Sequence, residues 1–220
     1  MTFLADLAEV ESDERAFVRR LLLRIRPRVV WDIGANIGFW SLFLTTSCPS
    51  DCEIYAFEPS PDNLRLLNLN MTNNQITNWI IRPVAVSSQT GNATFYSDVV
   101  TGATGSLNKN HDFVGRFYRA SMVEIEVRTT TVDAEISSGA PPPQFMKIDV
   151  EGHELAVLRG ARRTLSEHRP FLIFETTSNH EEVGDLLQQL GYMMLDLSGA
   201  PLDVPRFNTI GIPAEMQSTI

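Results

Sequence analysis

The stretch "MKIDVEGHE", residues 146–154, places Asp149, Glu151, His153 and Glu154 within six positions. Carboxylates this close repel one another unless a cation, a helix N-terminus or acid–base work offsets the repulsion. Asp149 closes an apolar run and is the first candidate to position or deprotonate a reacting group. His153 carries the side chain whose ordinary pKa, about 6.5, suits a base at neutral pH; the competing reading is an exposed histidine in a first helical turn. Glu151 and Glu154 also have a structural explanation, because acids in the first turn of a helix are stabilised by about 0.3–1 kcal/mol each. Residues two apart on a strand share a face, so Lys147 is placed to pair with Asp149. Asp149 and Glu151, with Glu175, offer oxygen ligands of the kind Mg2+ takes, although the spacing does not require a metal.

A second stretch, "DIGANIGFWS" at residues 32–41, reads as a strand-to-helix turn. Gly34 and Gly38 are separated by three residues, which departs from the G-x-G-x-x-G spacing that lays a pyrophosphate on a helix N-terminus. Asp32 at the strand end would repel a pyrophosphate and suits a ligand carrying an ammonium or sulfonium group. Glu58, in "FEP", ends the next apolar run, where it can accept hydrogen bonds from ribose hydroxyls. The combination favours S-adenosylmethionine over NAD. An NAD-dependent oxidoreductase and a non-catalytic module on the same fold are the alternatives. A turn whose glycines serve packing alone is the structural reading.

The elements that must carry these residues alternate along the chain. "RVVWDIG", "EIYAFEPS" and "WIIRPVAVS" read as strands, the third broken by Pro83. Helical patterns begin at Phe39 and cover 63–71, where Leu64, Leu67 and Met71 share a face. Residues 91–133 differ: "ATFYSDV" and "VEIEVRTTTVD" show the alternation of paired β strands around a Gly/Thr/Asn-rich loop, in which Ser106 and His111 could touch a substrate. "QFMKIDV", a helix over 154–165, "PFLIFET", a helix over 181–190, "YMMLDL" and "FNTIGIP" complete the series. Strand–helix alternation of this kind predicts a mostly parallel, doubly wound α/β sheet with a small β insertion and an antiparallel hairpin at its C-terminal side. The whole is read as one domain, with residues 1–28 as a helical segment before the core.

Composition narrows the partners. A hydrophobic content of 43% over 220 residues supplies a sizeable core, and a net charge of −9 argues against nucleic acid. The arginine cluster at 19–28 reads as the polar side of a helix whose apolar partners are Phe17, Val18, Leu21, Leu22 and Ile25. There is no apolar run long enough for a membrane span, and the acidic N-terminus is unlike a signal peptide, so a cytoplasmic setting is expected. Cys48 and Cys52 read as free thiols in a loop, and Trp31 and Trp40 as core residues flanking the first turn.

Together, "VVWDIGANIGFWS", "YAFEPSPDNLRLLNLN", "VAVS", "TTTVD", "FMKIDVEGHELAVLRGA" and "RPFLIFE" resemble the FkbM-type family of S-adenosylmethionine-dependent methyltransferases. The resemblance implies the class I methyltransferase fold, a Rossmann-like sheet of seven strands in the order 3-2-1-4-5-7-6 with the seventh antiparallel. It implies transfer of a methyl group, usually to a hydroxyl of a small molecule such as a polyketide, a sugar or a glycolipid. Carried over by position, Asp32, Gly34, Ala35, Asn36 and Gly38 would hold the methionine part of the cofactor. Glu58 would bind its ribose, Pro59 would shape the turn beneath the adenine, and Val84 and Ala85 would flank the ring. Asp149 would stand where the methyl group meets the acceptor, with His153 and Lys147 beside it.

Overall fold

In a computed structural model, residues 12–98, 105–109 and 122–219 are described. His111 and most of the Gly/Thr/Asn-rich loop lie outside them. A helix, α1 (Ser12–Ile25), leads into strand β1 (Val29–Ile33), which is buried along its whole length. Helix α2 (Phe39–Ser47), strand β2 (Glu53–Phe57), helix α3 (Pro61–Asn73) and strand β3 (Trp79–Arg82) follow. After the second sheet come β8 (Phe145–Ile148), α5 (Glu154–Arg159), α6 (Arg162–Glu167), β9 (Phe171–Glu175), α7 (His180–Gln189) and β10 (Tyr192–Leu195). Two-residue β11 (Pro201–Leu202), β12 (Asn208–Pro213) and a 3-10 helix (Ala214–Thr219) close the chain.

The main sheet runs β11-β10-β12-β9-β8-β1-β2-β3. Without β11 this is the order 3-2-1-4-5-7-6 of the class I methyltransferase fold, and β12 is antiparallel to both of its neighbours. The expected seven strands become eight because β11 pairs with β10 at the edge. The expected terminal hairpin is present in a particular form: β12 is inserted between β9 and β10 rather than added outside them.

Alternation along β1 assigns each face its cover. Trp31 and Ile33 belong to the core that also holds Val132, Leu155, Leu158 and Leu186. Val30 belongs to the opposite core, with Leu22, Trp40, Leu44 and Leu67. Arg19, Arg20 and Arg24 of the arginine cluster lie on α1, and Arg26 and Arg28 follow it; Arg19 lies over the Phe43 ring at 5.3 Å, and Arg15, a turn earlier, over Phe39 at 5.0 Å.

Pro83 ends β3, and the chain passes into a second sheet of β4 (Ala85–Val86), β5 (Gly91–Asp98), β6 (Gly105–Ser106) and β7 (Met122–Thr130), in the order β4-β7-β5-β6. The short helix α4 (Val132–Ser137) returns the chain to β8 and is capped by Thr131, whose side chain accepts from the Ala134 amide.

The continuous helix expected over 154–165 is divided. Gly160 abuts the second sheet so closely that a Cβ there would lie 2.1 Å from the Ser87 carbonyl oxygen. Asp133 then caps a new helix, accepting from the Arg163 and Thr164 amides at 3.0 and 2.9 Å. Periodicity passed through the break because both halves bury the same face, with Leu158 and Leu165 fully covered.

Candidate functional site

The turn from β1 into α2 lies at the carboxyl end of the sheet. It stands at the switch point where β1 has β2 on one side and β8 on the other, the place where open α/β sheets bind ligands. Gly34 has φ +81°, and its amide and that of Ala35 both donate to the Phe57 carbonyl, tying the turn to β2. Asn36 (φ +52°) donates its amide to Glu58 Oε2 at 2.9 Å. The other oxygen, Oε1, accepts from the Ser60 amide at 2.8 Å and from Asn63 Nδ2 at 3.4 Å. Glu58 is only 4% exposed, and burial pushes its carboxyl up to about 7 despite these donors.

An open cavity lies between this turn and the stretch after β8. Asn36, Glu58, Val84, Ala85, Asp149 and His153 are among its lining residues, and Gly34, Ala35, Pro59 and Lys147 also border it. Two expected cofactor residues do not. Gly38 faces α3 and β3, where a Cβ would come within 2.7 Å of Leu67 and 3.0 Å of Trp79. Asp32 is fully buried beneath the turn: its Oδ2 accepts from Ser41 Oγ at 2.6 Å, and its Oδ1 faces Lys147 Nζ at 3.5 Å.

Lys147 joins the two motifs. It is the register partner of Asp32, donates to the Gly34 carbonyl at 3.0 Å and pairs with Asp149 Oδ2 at 3.1 Å. One buried ammonium thus balances a buried carboxylate below and a half-buried one at the cavity wall.

Beyond Asp149 the backbone bends through Glu151 (φ +54°) and Gly152 (φ +85°) before α5 starts. The second sheet secures this bend. Ser106 Oγ donates to the Glu151 carbonyl at 2.7 Å, and Asn108 Nδ2 to that of Gly152 at 3.3 Å. Ser106 therefore supports the loop rather than facing a substrate, while its neighbours Gly105 and Leu107, with Phe95, roof the cavity. Glu154 is buried and accepts from the Gly152 amide at 2.9 Å, consistent with its structural reading at a helix start. Against the competing reading of an exposed histidine, His153 is half-buried on the cavity wall with Nε2 2.9 Å from Ser87 Oγ, and burial lowers its pKa.

Sequence reasoning also missed Glu14. This buried residue of α1 borders a small pocket with Lys147, Asp149 and Glu175. No motif marks it, since its position follows only from how α1 packs. Among the described residues, no group of three His, Cys, Asp or Glu side chains is arranged to hold a metal ion, so the Mg2+ set of Asp149, Glu151 and Glu175 does not assemble.

The acids around the cavity carry a consequence for stability. Burial, with repulsion from Asp149 as a lesser cause at Glu151 and Glu154, raises Glu151 and Glu154 to about 7. Burial, with repulsion from Asp149 and Glu151, raises Glu175 to about 9. A carboxyl raised in the fold stabilises it most below its unfolded pKa, about 4.5, and that contribution is lost as pH rises through the folded values. Folding stability should therefore fall as pH rises from about 5 to 9. Urea denaturation across that range checks this; a curve that is flat or rising would count against it.

Comparison with known proteins gives this geometry its context. Residues 32–196 match the family model for the methyltransferase FkbM domain. Hexuronic acid methyltransferase AglP of Haloferax volcanii is 31% identical over 151 residues, 67% of this chain and 56% of that protein. The chain thus spans little more than half the length of that relative. The 31-O-demethyl-FK506 methyltransferase FkbM of Streptomyces tacrolimicus is 28% identical over 190 residues, 71% of this chain and 72% of that one. In overall shape, the crystal structure of methyltransferase FkbM from Methylobacillus flagellatus KT covers 84% of the chain, and the chain covers 43% of it, with a TM-score of 0.55 at 19% identity. The match runs from Asp32 to just past β10 and so takes in both the turn after β1 and the 149–154 stretch. The chain belongs to the FkbM methyltransferase family.

Proposed function

We propose that the chain is an S-adenosylmethionine-dependent methyltransferase that methylates a hydroxyl of a small molecule. The observation that carries this reading is the buried Glu58 carboxylate across one cavity from Asp149 and His153, at the switch point of a class I methyltransferase sheet. The residues fit the cofactor. Glu58 has oxygen lone pairs for a ribose diol, Val84 and Ala85 offer an apolar slot for a base, and the acids of the 149–154 stretch suit a cation. S-adenosylmethionine supplies a methyl group on a sulfonium, so little activation of the donor is asked of the protein.

What remains for this chain is to orient the acceptor, exclude water and take a proton. Gly34 lets the turn lie against the Asp149 backbone, bringing the two walls together. Phe95, Gly105 and Leu107 add the second sheet's wall to the cavity. Lys147 fixes Asp149 at 3.1 Å, so that carboxylate is suited to hold an acceptor hydroxyl in place. His153, whose neutral form burial favours, is suited to take the proton. Relatives named for a hexuronic acid and for 31-O-demethyl-FK506 support a small, oxygen-bearing acceptor.

The reading makes a quantitative expectation at Glu58. S-adenosylhomocysteine should stabilise the chain in a thermal shift assay, and Glu58→Ala should weaken its binding roughly 10- to 100-fold, the cost of leaving the ribose hydroxyls without their buried acceptor. Stabilisation by NADH with none by S-adenosylhomocysteine would instead support an oxidoreductase.

A further inference from the structure

His153 holds the N-cap position of α5 but caps nothing, because its side chain makes no bond to the helix amides. The imidazole turns instead to Ser87, 66 residues earlier, with Nε2 2.9 Å from the hydroxyl oxygen. Ser87 is fixed from two sides by backbone. Its amide donates to the Thr130 carbonyl at 2.8 Å, and its own carbonyl lies against Gly160, leaving no room for a Cβ there. The residue is 9% exposed and does not border the cavity, whereas His153 does. Each partner is thus anchored to a different part of the fold, Ser87 to the second sheet and His153 to the loop after β8.

A ring held through Nε2 has one nitrogen left for a ligand, Nδ1. The tautomer then decides the chemistry. If the serine hydroxyl accepts from Nε2–H, Nδ1 carries a lone pair and can act as a base; if the hydroxyl donates, Nδ1 carries the proton and cannot.

We propose that Ser87 is the positioning residue for His153, accepting the Nε2 proton so that the Nδ1 lone pair faces the hydroxyl of the methyl acceptor. This rests on the methyl-transfer reading. In the step, the acceptor O–H proton passes to Nδ1 while an oxygen electron pair forms the new O–C bond. The methyl carbon's bond to sulfur breaks with its pair left on sulfur. The imidazolium so formed keeps its Nε2–H bond to Ser87, now charge-assisted and stronger, and later returns the proton to water. Asp149, already paired with Lys147, is left to orient the same hydroxyl.

The test reads the ring itself and needs no acceptor. Long-range proton–nitrogen NMR, with the signal assigned by His153→Gln, is recorded on the full chain with and without S-adenosylhomocysteine. The expected result is a His153 ring protonated at Nε2. Ser87→Ala should lose a tautomer preference of roughly fivefold, about what one hydrogen bond confers, and Ser87→Thr, which keeps the hydroxyl and guards against a folding defect in the alanine variant, should restore it. S-adenosylhomocysteine affinity should stay within about twofold in both variants, since Ser87 lies outside the cavity. A ring protonated at Nδ1, or one indifferent to Ser87→Ala, overturns the proposal. Failure of the unaltered chain to bind S-adenosylhomocysteine would overturn the methyl-transfer reading instead, while the ring signal of the unliganded chain still decides the role of Ser87.

Discussion

Replacing Lys147 with Met is expected to lower folding stability by about 3–5 kcal/mol, because it leaves a buried charge without its counter-ion. The charge is Asp32, fully buried, with one oxygen bound to Ser41 and the other facing the Lys147 ammonium at 3.5 Å. Lys147 is itself 4% exposed, so solvent cannot take over its role. Removing both charges, with Asp32→Asn and Lys147→Met together, should recover a large part of the loss, since two neutral groups avoid the desolvation cost of two ions. Urea denaturation of the two single variants and the double variant gives the coupling directly. A single variant within 1 kcal/mol of the parent chain would show that the pair is solvated in solution, and the account of the site's electrostatics would have to be abandoned. The same variant should also loosen Asp149, which shares the ammonium at 3.1 Å.

Gly34→Ala should be nearly as damaging, for a steric reason. The backbone at Gly34 has φ +81°, and a Cβ would sit 1.8 Å from the Asp149 carbonyl oxygen, a backbone atom that no rotamer change can move. Left-handed backbone costs an L-residue about 1–2 kcal/mol, and overpacking of this kind adds roughly 1–3 kcal/mol. An expected loss of about 3 kcal/mol follows, together with separation of the two cavity walls and loss of S-adenosylhomocysteine binding. Calorimetric titration and thermal unfolding of the variant measure both. Retained affinity at near-normal stability would mean that the walls do not need this close approach. Gly38→Ala offers an informative contrast, since its clash is with the Leu67 and Trp79 side chains rather than with the cavity.

These two glycines mark where reading residues in order reaches its limit. The D-x-G-x-x-x-G turn and the second acid located the cavity, because strand ends and glycine spacing are local signals. The turn did not reveal that Asp32 would be buried and bound to Ser41, so its carboxylate lies beneath the turn rather than on the cavity wall where a ligand contact was expected. Lys147 was legible through strand alternation alone, since residues two apart share a face; its second partner, Asp32, required knowing that β1 and β8 are neighbours. The burial of His153 was hidden for the same reason. A histidine at a helix start is ordinarily solvated, and its contact with Ser87 comes from a residue distant in sequence, just past β4. The α/β rhythm made a mostly parallel, doubly wound sheet readable, and the strand order came from the family resemblance. The break at Gly160 and the edge strand β11 were not readable, being set by contacts distant in sequence.

The insertion of β12 between β9 and β10 governs the order in which the sheet can be assembled. During synthesis, β9 and β10 emerge before the strand that must separate them, and each awaits the same six residues, Asn208–Pro213. Until those arrive, β9 presents an unpaired edge and β10 has only its two-residue partner β11, the condition in which strands are most prone to pair with the wrong chain. Closure of the sheet at this point is then a late event in synthesis. The helix α7, whose apolar face covers this part of the sheet with Val183, Leu186 and Leu187, is the element placed to hold β10 near its final position while the gap stands open.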